Sequence, residues 1–206
     1  MKNWLARLFG RAAPVPLRSA RWVVVDCETS GLDPARDRLL SVGAVAVRGG
    51  RIELGESFGA MVRQDAPSGH ANILVHGIGG DAQRGGRPAA DVLREFSAFL
   101  GEGLPVAFHA PFDAEVLSRA MPGFRRAWLD LALLAPALHP GRRRENRALD
   151  DWLQEFGIDC TARHDALADA YATAQLLLVL LAEAERQGAG TVDRLRRLER
   201  AGRWIA

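Results

Sequence analysis

In the stretch RWVVVDCETSGLDP, residues 21–34, an apolar run stops at two carboxylates, Asp26 and Glu28, one residue apart. Residues 22–26 are rich in β-branched side chains and read as a buried strand. On a strand, residues i and i+2 point to one face, roughly 7 Å apart at about 3.3 Å rise per residue. Two carboxylates crowded onto one face at the edge of a core repel each other and lose hydration. On an exposed strand end the pair would be ordinary surface, but the C-terminal end of a long apolar strand is where open α/β sheets bind ligands. A third carboxylate, Asp113, follows the apolar run in VAFHAPFDAEVL. Taken alone it reads equally as a helix N-cap. A fourth, Asp169, lies in RHDALADAYATAQLLL. There Asp165 is placed to cap a helix, and Asp165 and Asp169 form an i, i+4 like-charge pair that is unfavourable without a cation. The alanines at 166, 168, 170, 172 and 174 let that helix press its backbone close to a sheet and deliver Asp169 to a shared point. His164, just ahead of the helix, can swing toward the same point.

Four carboxylates supplied by separate elements suit hard cations with oxygen ligands, Mg²⁺ or Mn²⁺. Two such ions roughly 4 Å apart clamp the attacking and leaving oxygens of a phosphoryl transfer. A phosphate-bearing substrate makes sense of such a cage.

The elements that must position these groups are legible. A first strand covers 22–26, and LLSVGAVAV (39–47) alternates as a second. Gly49 and Gly50 mark a tight hairpin into a third strand, 51–62. The Gly-rich segment 67–88 reads as a loop with one short helical turn in its middle. After it the pattern alternates: helix 89–101 with Val92, Leu93, Phe96 and Leu100 inward, strand 105–109, helix 112–121, strand 127–131, then helices at 131–138, 148–156 and 165–186. Strands first and βαβα afterwards give an α/β fold, a mixed five-stranded sheet of three antiparallel strands followed by βαβ, flanked by helices. Residues 1–20 read as an amphipathic extension with a stiff Pro14/Pro16 linker, 21–186 as the functional domain, and 187–206 as a helical tail.

Apolar residues make up 48% of the 206 and charged residues 25%, the balance of an ordinary globular domain. A net charge of +2 says little about nucleic acid. Two cysteines are too few for a disulfide framework or a zinc site, so a reducing cytoplasm is the expected setting. No run of about 18 apolar residues predicts a membrane span, and no signal-peptide core is expected at the N-terminus.

The order D-x-E-T, then F-D, then H-x-x-x-x-D resembles the DEDDh 3′→5′ exonucleases of the ribonuclease H-like superfamily, a group that includes the epsilon subunit of DNA polymerase III and RNase T. The resemblance covers nearly all of residues 21–186. It implies a ribonuclease H-like fold, Asp26, Glu28, Asp113 and Asp169 as ligands of two Mg²⁺ or Mn²⁺, and His164 as the general base. An imidazole, which titrates near neutrality, suits that role. TSGLDP (29–34) and VHGIGG (75–80) resemble the loops that border the 3′ nucleotide, which points to Thr29, Leu32, His76 and Ile78; Leu32 and Ile78 read equally as core. His109 stands where the family usually has Asn, and would take over its local or substrate contacts. The implied activity is release of nucleoside 5′-monophosphates from single-stranded 3′ ends, DNA favoured over RNA trimming. A non-catalytic polymerase-associated subunit is the alternative.

With few aromatic residues, the composition favours recognition of a strand end over extended stacking. The apolar face of residues 1–13 suits docking on its own domain, a membrane surface, or the groove of a polymerase or other protein partner, and GRRRENR (141–147) offers charge to a phosphate backbone or to solvent. No sequence patch decides an oligomeric state.

Overall fold

A computed structural model describes residues 13–142, 147–160 and 163–203. The amphipathic face of residues 1–12 and the arginines at 143 and 144 lie outside the described residues. Strands β1 (Trp22–Thr29), β2 (Leu39–Arg48) and β3 (Arg51–Met61) come first. Short helices α1 (His70–His76) and α2 (Gly80–Gly85) follow, then α3 (Ala89–Leu100), β4 (Leu104–Ala107), α4 (Ala110–Ala120) and the two-residue β5 (Leu129–Asp130). Helices α5 (Leu131–Leu138), α6 (Leu149–Glu155), α7 (Ala166–Arg186) and α8 (Val192–Gly202) complete the chain.

The sheet order is β3-β2-β1-β4-β5. β1–β2 and β2–β3 are antiparallel, while β1–β4 and β4–β5 are parallel. This is the expected mixed sheet. Alternation along β1 decides everything downstream. Trp22 and Val24 enter the core beneath α5, α6 and α7, whereas Val23, Val25 and Cys27 enter the opposite core with α3 and α4. Asp26 and Glu28 continue the first series and so emerge on the α7 side. The inward set of α3, Val92, Leu93, Phe96 and Leu100, is buried as its periodicity requires.

Several expectations need correction. β1 runs three residues past Asp26, because its backbone keeps pairing with β2 as far as Thr29↔Leu39. The segment 67–88 carries two short helices rather than one turn; the left-handed Gly77 (φ 69°) stops the first, and Gly79 opens the second. The last strand shrinks to two residues, since only Val106 and Ala107 offer partners. α7 is long and apolar enough to cross a membrane by length and composition, contrary to the expected absence of such a stretch. Most of that window is buried against the sheet, which makes α7 the core helix of this fold. Leu17, expected in a linker, is 1% exposed in the main core, and Pro16 bridges Thr191. At the other end, Gly202 of α8 seats against the Leu133 carbonyl of α5.

Candidate active site

At the C-terminal end of β1 the sheet opens. β4 pairs only as far as Val106 with Val24, so α4 starts beside the last turns of β1 and brings Asp113, 5% exposed, into the gap. From the other face comes α7, capped by Asp165, whose Oδ1 accepts from the backbone N–H of Leu167 (3.1 Å) and Ala168 (2.9 Å). Its first turn lies almost on β2. A methyl group placed on Gly43 would sit 2.2 Å from the Ala166 carbonyl, and Gly43 is the register partner of Asp26. A glycine on the strand and alanines on the helix thus bring two backbones together and set Asp169, 4% exposed, against the acidic face of β1.

The electrostatics report how tightly these groups are gathered. Burial, followed by the charges of Asp113, Asp169 and Glu28, drives the Asp26 pKa well above the usual carboxylate range. Burial and then Asp169 raise Glu28 to about 7. Burial raises Asp113 to about 7 against the opposing hydrogen bonds it receives from Cys27. That thiol is itself held protonated by burial and by Asp113. Three gathered carboxylates that resist ionisation, with Asp169 beside them, are a set of hard oxygen donors that fits divalent cations. Glu28, His164 and Asp169 place one ligand atom each within 4.8 Å of one another.

Arg163 supplies part of the missing countercharge. Its guanidinium bonds Asp169 and also meets Asp150 of α6 (Nε–Oδ1 2.7 Å). The other Asp169 oxygen, Oδ2, accepts from the His164 backbone N–H at 2.9 Å. Sequence reasoning missed Arg163, although the cation demanded by Asp165 and Asp169 was the available signal. Among the described residues, the two non-glycine residues with left-handed backbones are His109 (φ 60°) and His164 (φ 65°). Such conformations cost of order 1–3 kcal/mol and cluster at functional sites. Here they open α4 and precede α7, the two helices that carry Asp113 and Asp169.

The predicted substrate-contact residues divide. A cavity of about 570 Å³ is walled by His76, Ile78, Met61, Ser41, Arg163 and His164. Leu32, 89% exposed, is not core. His76 is buried with both ring nitrogens engaged: Nδ1 accepts from the Ile78 N–H at 3.0 Å, and Nε2 meets Ser68 Oγ at 3.2 Å. Burial and His164 lower its pKa, so it serves as a neutral staple of its loop. Thr29 is buried and donates to the Gly31 carbonyl at 2.6 Å. His109 gives its backbone N–H to Asp130 Oδ1 (3.0 Å), and its ring sits edge-on to Phe108. Thr29 and His109 are therefore tied into the scaffold, while Ile78 and the face of His76 border open space.

Comparison with known proteins fixes the family. The family described as RNase_T, exonuclease, matches residues 23–177. The chain belongs to the RNase_T exonuclease family. It is 36% identical over 187 residues to the DNA polymerase III subunit epsilon-like protein of Rhodobacter capsulatus, covering 87% of this chain and 26% of that protein. It is 31% identical over 185 residues to the PolC-type DNA polymerase III of Bacillus subtilis, covering 87% of this chain and 13% of the polymerase. The chain therefore spans about a quarter or less of these relatives. Among solved structures, Exonuclease X in complex with 5′ overhanging duplex DNA superposes with a TM-score of 0.67 at 23% identity, covering 84% of this chain and 99% of that one. Escherichia coli Exonuclease I in complex with a dT13 oligonucleotide gives 0.68 at 20% identity, covering 82% and 42%. These likenesses establish the ribonuclease H-like exonuclease fold. The chain thus carries the exonuclease-family domain, and its acidic cluster is suited to a divalent metal.

Proposed function

We propose that this chain is a metal-dependent 3′→5′ exonuclease that removes nucleoside 5′-monophosphates from single-stranded DNA ends. The observation that carries the reading is the convergence of Asp26, Glu28, Asp113 and Asp169 from β1, α4 and α7 on one point beside His164. In this reading the four carboxylates hold two Mg²⁺ or Mn²⁺ ions. When bound, such ions stabilise charge on the attacking and leaving oxygens of the phosphodiester. His164, solvent-facing at the rim, takes the proton of the attacking water. The terminal nucleotide occupies the cavity bordered by Ile78 and the face of His76, with its base against Leu32. Arg163, bonded to one oxygen of Asp169, borders the carboxylate that in this reading serves a metal.

DNA is favoured because the relatives named above are DNA polymerase III proteins. On the same ground, association with a polymerase through residues 1–13 is part of the proposal. RNA 3′-end trimming uses the same chemistry and is separated by substrate choice alone. The test is incubation of 5′-labelled single-stranded DNA and RNA of one sequence with Mg²⁺, Mn²⁺ or EDTA. The expected result is a ladder shortening from the 3′ end, faster on DNA and abolished by EDTA and by Asp26→Ala. A faster RNA ladder would transfer the reading to RNA trimming. No degradation of either strand with any metal would refute catalysis and leave a nucleic-acid-binding subunit.

A further inference from the structure

On the sheet face opposite α7, a second cavity of about 350 Å³ opens among Arg38, Arg63 and Arg119 over an apolar floor that includes Leu39, Leu93 and Val116. Nothing in the chemistry proposed above uses it. Among the described residues, its three guanidiniums are bonded only to main-chain oxygens. Arg38 Nη1 donates to the Ala66 carbonyl (2.7 Å), Arg63 Nε to that of Gly86 (3.1 Å), and Arg119 Nη1 to those of Pro34 and Asp37 (3.0 Å to the latter). Nearby arginines are matched by acids, Arg36 by Asp33 and Arg87 by Glu95. Asp37 also lines the cavity, but its carboxylate is turned to Ser30 Oγ (2.9 Å) and the Asp33 N–H (2.8 Å). The cavity therefore carries three positive charges that no carboxylate among the described residues pairs with.

Its position gives the charge a use. Leu39 is the register partner of Thr29, the residue after Glu28. The segment 30–38 leads directly from the acidic end of β1 to the arginines, and Arg119 holds that segment by its carbonyls. We propose that Arg38, Arg63 and Arg119 form a second nucleic-acid subsite, which holds backbone phosphates of the substrate strand upstream of its 3′ end, with sugar or base on the apolar floor. Forked guanidiniums suit phosphate oxygens, and the scarcity of aromatic residues leaves charge as the main handle on an upstream strand. The inference rests on the exonuclease reading for its substrate class.

The experiment is fluorescence anisotropy of a labelled 20-nucleotide single strand and of a trinucleotide across a salt series, in EDTA. Wild type, Arg38→Ala, Arg63→Ala and the double variant are compared, with Arg63→Lys as a control that keeps the charge. Arg119 is left intact because it anchors the 30–38 segment. Each lost phosphate contact should lower the slope of log K against log salt by ~0.7 on single strands. The double variant should thus lose ~1.4 on the 20-mer, bind the trinucleotide as wild type does, and keep its melting temperature. An unchanged slope would overturn the subsite, as would a loss of affinity with no change of slope. Hydrolysis of the p-nitrophenyl ester of thymidine 5′-monophosphate, measured in parallel, reports on the acidic site alone. Failure of wild type there, with the slope change intact, would sink the exonuclease reading and spare the subsite.

Discussion

Gly43→Ala should damage this protein far more than one methyl group suggests. The new Cβ would lie 2.2 Å from the carbonyl carbon and oxygen of Ala166 and 2.4 Å from the Leu167 nitrogen, all main-chain atoms that cannot rotate away. Ordinary contact begins at 3.4 Å. The first turn of α7 and strand β2 must therefore separate by roughly 1.2 Å, the difference of the two distances, as overpacked cores do at a cost of ~1–3 kcal/mol. The displaced turn leads to Asp169, and the strand position faces Asp26, so the shift falls between two groups of the acidic cluster. Misplacement by about 1 Å typically costs ~10²-fold in rate. The assay is kcat/KM on a single-stranded oligonucleotide, with Mn²⁺ affinity by calorimetry and thermal melting alongside. Gly59→Ala is the control. Its Cβ would meet Leu167 Cδ2 at 3.2 Å, a flexible side-chain end, and it should cost less than ~1 kcal/mol with near-normal rate. A Gly43→Ala protein with normal rate, metal affinity and melting temperature would refute the argument that this close approach positions the site. Equal damage from Gly59→Ala would do the same.

Further outcomes follow from the same geometry. Glu28 and Asp113 titrate near 7 when folded but near 4.5 and 3.8 when free. The folded state therefore holds protons that the unfolded chain has released, and stability in EDTA should fall as pH rises from about 4 to 7. The slope should reach at most ~1.4 kcal/mol per pH unit for each carboxyl, and less for the partly open Glu28. Mg²⁺ or Mn²⁺ should reverse the loss at pH 8, and a flat melting profile in EDTA would contradict the crowding described. Leu17→Ala should cost ~2–5 kcal/mol by denaturant unfolding, because Leu17 lies within the core; a value under ~1 would return residues 16–20 to a linker. Asp165→Ala removes the cap of α7 and should cost ~1 kcal/mol at pH 6, where Glu28 is largely protonated, while Asp165→Asn should restore most of it. Equal losses in both variants would assign the effect to charge rather than capping.

Much of the arrangement was legible because it is periodic. Alternation along β1 sends Asp26 and Glu28 out on the face opposite Cys27, and the helical spacing of Val92, Leu93, Phe96 and Leu100 fixes the buried side of α3. The alanines of α7 announced a helix that approaches something closely. The strand termini and the segment 67–88 were read less well, because pairing partners end β5 and glycine backbones divide α1 from α2.

The sequence by itself determined which groups share a face and which residue types gather, since periods of 2 and 3.6 are local properties of the chain. Only the tertiary structure decided that Gly43 is what α7 presses against, that Leu17 fills the core, and that Arg163 bridges Asp169 and Asp150. It also decided that His76 spends both ring nitrogens on its own loop. Each of these joins segments that do not share a local repeat. Side-chain period says where a group points, but only packing between distant backbones says what meets it there.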